Sequence, residues 1–246
     1  IAARASGAQV KVAAEPNFVV DVDAMSAAVN ARTRIVFIAN PANPTGTCLP
    51  YSEIERLHAG LREDVLLVLD GAYADFAEHR DDYADGMALA ARASNVLVTR
   101  TFSKLHGLAS LRIGWGYAAT PVADVLNRIR LPFNTSAAAQ AAALAALKDD
   151  AFAARSAAHS RAGRETLARM LAAFGLAPLE PDANFVTARV DAASGYDAAG
   201  LAQALAERGI LVRTLQNYGM PDWLRVTVGA DDEMAALKQA LTEILR

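Results

Sequence analysis

Short unbroken apolar runs alternate with longer stretches of helical period through the first half of the chain. Arg34 to Ala39 (RIVFIA) is apolar throughout and ends in the Asn/Pro/Gly cluster Asn40 to Gly46, the pattern of a buried strand followed by a loop. From Pro50 to Leu61, the residues Ile54, Leu57 and Leu61 share one helical face, and Pro50 suits a first-turn position. A second buried strand is predicted at Val65 to Leu69 (VLLVL), ending at Asp70. A third lies at Asn95 to Thr99 (NVLVT), leading to Lys104, and a fourth at Arg112 to Ala118. Strands apolar on both faces, alternating with helices, predict an α/β fold: a mostly parallel sheet with helices on both sides.

The texture changes after Pro132-Phe133-Asn134. From Ser136 to about Phe174 the period is helical, with no strand-like run. A strand near Asn184 to Val190, a helix near Asp197 to Arg208, strands at Ile210 to Thr214 and Leu224 to Val228, and a closing helix Asp232 to Leu245 follow. The expected division is a large unit over 1–135, then a connecting helix and a small C-terminal α+β unit over 136–246.

Composition narrows the function classes. Of 246 residues, 53% are hydrophobic, enough for a sizeable core and against disorder. A net charge of −3 without a basic run does not favour a nucleic-acid partner. The single cysteine, Cys48, excludes an intrachain disulfide and fits a reducing, cytoplasmic setting. No apolar run approaches the roughly 18–20 residues that span a bilayer, so no membrane partner is expected. The chain opens Ile1-Ala2-Ala3-Arg4-Ala5, without methionine or signal-peptide character, as if in the middle of a helix, so further sequence is expected upstream. His58, His79, His106 and His159 show no close metal-ligand spacing, and no metal is expected. His106 lies near enough to Lys104 to line a site.

In open α/β sheets ligands bind beyond the carboxyl ends of the strands. Asn43 follows the first predicted strand, Asp70 ends the second and Lys104 follows the third, so an amide, a carboxylate and an amine could face one cleft. Pyridoxal phosphate (PLP) chemistry asks for such a set: a lysine to attach the cofactor and a carboxylate to hold its pyridinium nitrogen protonated. Read singly, each residue has a plainer explanation. Asp70 could be a turn aspartate, Asn43 a turn residue before proline, Tyr73 a packed aromatic, and Arg213 and Arg225 exposed strand arginines.

Together they resemble a family. Asn43-Pro44-Thr45-Gly46 resembles the NPTG loop of fold-type I, PLP-dependent aminotransferases, and Asp70-Gly71-Ala72-Tyr73 their D-x-A-Y strand end. Thr101-Phe102-Ser103-Lys104, with Gly107-Leu108 and Arg112-Ile113-Gly114, resembles their lysine signature, and Leu224 to Gly229 their late strand with an arginine. The phrases TFSKLHGLASLRIGW, VADVLNRIRLPFN and NYGMPDWLRVTVG are most similar to the histidinol-phosphate aminotransferases within that family. The resemblance implies that Lys104 is the Schiff-base lysine and proton carrier, and that Asp70 holds the pyridinium nitrogen. Asn43 and Tyr73 would hydrogen-bond the cofactor's phenolate oxygen, Thr101, Ser103 and Arg112 would hold its phosphate, Arg225 the substrate carboxylate, and Arg213 the substrate phosphate. It implies amino exchange between L-histidinol phosphate and 2-oxoglutarate in histidine biosynthesis, by a homodimer whose large unit is PLP-binding. Part of the cofactor cradle would then lie upstream, and the chain alone would bind PLP weakly and turn over poorly or not at all. An aromatic aminotransferase, a phosphothreonine decarboxylase and the PLP-sensing domain of a transcription regulator share the fold and stand as alternatives.

Overall fold

A computed structural model describes residues 2–191 and 194–245. After a short helix α1 (Ala2–Ala5), α2 (Val22–Ala28) starts where the Asp21 carboxylate accepts the Asp23 and Ala24 amides at 2.9 and 3.0 Å. Then follow β1 (Ile35–Ala39), α3 (Tyr51–Gly60), β2 (Leu66–Asp70), α4 (Ala74–Ala77), α5 (Met87–Arg92), β3 (Val96–Thr101), β4 (Gly114–Ala118) and α6 (Thr120–Ile129). Pro50 is the residue before α3 rather than inside its first turn. Strands β1, β2 and β3 run parallel in that order, and β4 closes the edge antiparallel to β3.

One face of this sheet carries Val36, Ile38, Leu67, Leu69, Val96 and Val98, packed with Val22, Ile54, Leu57 and Leu89 from α2, α3 and α5. The expectation of cover on both sides holds at the central strands, where Val68 and Leu97 are buried as well. It fails at β1: Ile35 and Phe37 point the other way and are 50% and 64% exposed. An apolar run reports what a strand can bury, not what lies opposite it. Helix α6 was not anticipated. Val122, Val125, Leu126 and Ile129 stand at helical spacing, so its apolar stripe was legible in the sequence, yet none of its residues is buried.

The second half holds α7 (Ala137–Ala146), α8 (Asp150–Ala173), β5 (Ala177–Pro178), β6 (Phe185–Arg189), α9 (Ala198–Ala206), β7 (Arg213–Leu215), β8 (Met220–Thr227) and α10 (Asp231–Leu245). Ser136, Asp149 and Asp197 cap α7, α8 and α9 through side-chain oxygens. The strands form an antiparallel sheet in the order β5-β6-β8-β7. Strand β7 begins three residues later than expected and β8 four residues earlier; a single 3-10 turn, Gln216–Tyr218, ending at Gly219 (φ +74°) joins them. Alternation divides this sheet sharply. Val186, Ala188, Leu224 and Val226 pack on Leu167, Leu171, Leu201 and Leu241 of the three helices. Phe185, Thr187 and Arg225 occupy the opposite face, and that face meets the first half of the chain.

Candidate functional site

The parallel register places the carboxyl ends of β1, β2 and β3 side by side, with Ala39 opposite Asp70 and Asp70 opposite Thr99. The chain leaving β1 turns back at once. Asn40, buried, donates from Nδ2 to the Leu49 carbonyl (3.0 Å) and accepts the Leu49 amide on Oδ1 (2.8 Å), closing the loop that presents Asn43. Gly46 in that loop has φ +79°, and a Cβ there would stand 3.2 Å from Cβ of Pro181, so the small sheet's leading segment rests on it.

Asp70 ends β2 exposed. Its Oδ1 accepts the Ala72 amide (3.1 Å) and faces the Thr99 hydroxyl at 3.5 Å, while Oδ2 has no partner among the described residues. Beyond β3, Thr101 Oγ1 accepts the Ser103 amide at 3.0 Å, tightening the turn into Lys104. Arg112 returns to that turn with a left-handed backbone (φ 53°), donating to the Ala109 carbonyl (2.8 Å) and to Ser103 Oγ (3.4 Å). Gly114 then lets β4 close on β3: an added Cβ would meet the Arg100 carbonyl oxygen at 2.5 Å.

A line of ring contacts joins these residues to the second sheet. Lys104 Nζ stands 5.2 Å from the centre of the Tyr73 ring, Tyr73 meets Phe185 edge-on at 5.3 Å, and the Arg225 guanidinium lies 4.9 Å above Phe185. Arg225 also donates to the Asn43 side chain, and Thr187 Oγ1 donates to the Pro44 carbonyl. Thr187, Arg225 and Arg213 are direct cross-strand neighbours, so their side chains leave the sheet on one face. Adjacent like charges repel, and neither arginine pairs with a carboxylate among the described residues; the arrangement suits an anion.

Lys104, Tyr73, Arg225 and Asn43 are thus joined through Phe185 across the two sheets, with Arg213 beside Arg225 by register, while Asp70 and the turn of Thr101, Ser103 and Arg112 stand at the adjoining strand ends. Phe185 and Thr187 join them without having been singled out. Alternation in NFVTARV places both opposite Val186, but only the register with β8 shows that this is the arginine's face. His106 packs on Phe102 (5.1 Å), His58 binds Asn95 and His159 the Gly229 carbonyl, both at 2.9 Å. Among the described residues, no three His, Cys, Asp or Glu side chains gather as a metal site.

Cys48 follows the loop. Burial first, and the nearby Asp182 charge second, push its thiol up to about 12. The neutral thiol is the form the fold favours. Its contribution to stability is complete below the unfolded value of about 8.5 and is lost as pH rises toward the folded value. Iodoacetamide at pH 8 is expected to label Cys48 far more slowly in the native protein than in denaturant; equal rates would show an accessible thiolate.

Comparison with known proteins agrees with this architecture. The sequence matches the family Aminotransferase class I and II over residues 1–244. It is 51% identical to a histidinol-phosphate aminotransferase of Rhodospirillum centenum, across all of this chain and 67% of that protein. It is 48% identical to histidinol-phosphate aminotransferase 1 of Caulobacter vibrioides, across all of this chain and 68% of that protein. The crystal structure of histidinol-phosphate aminotransferase from Sinorhizobium meliloti, in complex with pyridoxal-5'-phosphate, superposes with a TM-score of 0.81 at 32% identity, covering 92% of this chain and 61% of that one. Motifs in order, side-chain contacts that join the two sheets and a match along nearly the whole sequence meet in one conclusion: the chain belongs to the class I and II aminotransferase family.

Proposed function

We propose that the chain carries out PLP-dependent transamination, with L-histidinol phosphate as amino donor and 2-oxoglutarate as acceptor, in histidine biosynthesis. The observation that carries this reading is the continuous contact line Lys104–Tyr73–Phe185–Arg225–Asn43, which sets an amine at one end and the Arg225 guanidinium toward the other.

The donor set fits PLP. Asp70 offers a bare carboxylate oxygen at a strand end, the Ser103 hydroxyl and the Arg112 guanidinium converge within 3.4 Å as an anion seat, and Lys104 is a half-exposed primary amine. When bound, PLP supplies an electron sink that stabilises negative charge at the donor's α-carbon. Lys104 Nζ would hold the cofactor and, once displaced by the donor's own amine, would be free to accept the α-carbon proton and return it at the other end of the transfer. Asp70 would keep the ring nitrogen protonated, Tyr73 and Asn43 would donate to the phenolate oxygen, and Thr101, Ser103 and Arg112 would hold the phosphate. Arg225 grips the carboxylate of the 2-oxoglutarate–glutamate pair, and Arg213, beside it, meets the donor's phosphate.

The same reading assigns 1–135 to the cofactor-binding unit and 136–246 to the connecting helix and small domain, supported by two separate apolar cores. It also makes the protein a cytoplasmic homodimer. Ile129, Leu131 and Phe133, which are 71%, 75% and 97% exposed on one short segment, support the dimer, and sedimentation tests it. Among the described residues, no helix is long and apolar enough to cross a membrane.

The test titrates the full-length protein with PLP, records its visible spectrum, then adds L-histidinol phosphate or phenylalanine. The band of lysine-attached PLP is expected to disappear with histidinol phosphate and return with 2-oxoglutarate. Equal rates with phenylalanine would sink the narrow assignment. Arg213→Met separates the two further: turnover of the phosphate-bearing donor is expected to fall by roughly tenfold or more, the loss of one charge-assisted contact, with phenylalanine unaffected.

A further inference from the structure

Behind the cleft, four charged or titratable side chains meet where no step of the proposed reaction uses them. Asp182 is 7% exposed on the segment leading into β6, and Arg164 is 5% exposed in the middle of α8; His79 and Arg80 lie just beyond α4. Asp182 Oδ2 accepts from Arg80 Nη1 at 2.9 Å, and its Oδ1 lies 3.6 Å from His79 Nε2 and 4.0 Å from Arg164 Nη2. Arg164 Nη1 also reaches the carbonyls of Phe76 (3.5 Å) and Ala183 (3.3 Å). His79 Nδ1 is 3.0 Å from the Phe76 carbonyl, a partner only an N–H can satisfy, so Nε2 is the nitrogen that accepts from Arg164 at 3.3 Å.

Each arm of this cluster ends on an element that carries a site residue. Arg80 and His79 hang from the helix whose first residue follows Tyr73. The Asp182 amide donates to the Gly46 carbonyl at 2.7 Å, fixing the loop that presents Asn43. Three residues beyond Asp182, Phe185 supports Arg225. A buried carboxylate among two guanidinium groups is a poor source of net stability, since its desolvation offsets much of the attraction. What it does provide is direction, because its donors arrive from fixed positions on both halves of the chain.

We propose that Asp182 is a positioning residue: with Arg80 and Arg164 it sets the spacing between the Lys104–Tyr73 side of the cleft and the Asn43–Arg225 side, and so governs carboxylate capture rather than cofactor binding. This rests on the reading that Arg225 grips the substrate carboxylate.

The experiment compares Asp182→Asn with Asp182→Asn/Arg164→Met in the PLP-loaded protein. The single change leaves the buried Arg164 guanidinium without its carboxylate, while Arg80 keeps Asp82 at 2.8 Å, and lowers Tm; the double change removes the uncompensated charge and remains testable if the single variant fails to fold. Both are expected to raise KM for 2-oxoglutarate about tenfold or more, with the Kd for PLP held within about twofold. Amide exchange across 42–47 should quicken in both, a readout that needs no turnover. In an Arg225→Met background, Asp182→Asn should add no further change in KM. If KM and exchange return to normal in the double variant as Tm recovers, the cluster merely holds the fold and the proposal is overturned. If Arg225→Met itself leaves that KM unchanged, the fault lies instead with the role given to Arg225, and the inference falls with it.

Discussion

Lys104→Ala is expected to abolish transamination and the visible band of attached PLP together, while the protein stays folded. The side chain is only half-buried, and its one described contact is with the face of Tyr73. Losing such a contact costs about 0.5–1 kcal/mol, small beside the 5–15 kcal/mol that typically separates folded from unfolded chains. The chemical loss is far larger. Proton transfer by a positioned side chain contributes roughly 10²–10⁴-fold by itself, and the attachment point disappears as well. Single-turnover kinetics, absorption and a melting curve on one preparation read all three effects. Lys104→Arg separates charge from chemistry: the guanidinium keeps the cation but does not release its proton near neutral pH, so that variant should be equally inactive. Activity within tenfold of the parent in either variant would remove Lys104 from its assigned role.

The second large effect belongs to Arg225. Arg225→Met should lower kcat/KM for the glutamate half-reaction by about 10²–10³, because a forked contact to a carboxylate contains two charge-assisted hydrogen bonds, each worth roughly 1.5–3 kcal/mol, less some solvent compensation. The affinity for PLP should change little. Arg225→Lys restores the charge but not the fork, and should fall between the two. The substitution also releases Asn43 and uncovers Phe185, so amide exchange in the Asn43 loop provides a control. A loss of PLP affinity as large as the loss in kcat/KM would assign Arg225 to the cofactor rather than the substrate.

The two halves of the site differ in how far they could be read in advance. Asn43, Asp70 and Lys104 each sit just beyond a recognisable apolar run, so strand position alone aims them at one cleft. The turn from Thr101 to Arg112 is local, and its motif carries its geometry. Arg225 and Arg213 were legible only by resemblance, because a lone arginine in an alternating strand has no signature that distinguishes a ligand-facing side from a solvent-facing one. Phe185 and Thr187 were missed for the same reason. The Asp182 cluster was invisible: His79, Arg80, Arg164 and Asp182 are up to 103 positions apart and lie in segments whose local pattern reads as ordinary surface.

Local order was thus written in the chain. The period of its apolar residues laid down the strands of the first sheet and the long helices of the second half, and short-range motifs placed the amine, the carboxylate and the amide at strand ends. Registry and contact across the two sheets were decided only in the folded molecule. Which face of β8 meets the cleft, which guanidinium lies beside which, and how a buried carboxylate ties the loop of Asn43 to the helix beyond Tyr73 all depend on pairings between residues far apart in the chain. Periodicity records whether a side chain can be buried; the identity of its neighbour is settled when distant surfaces close on each other.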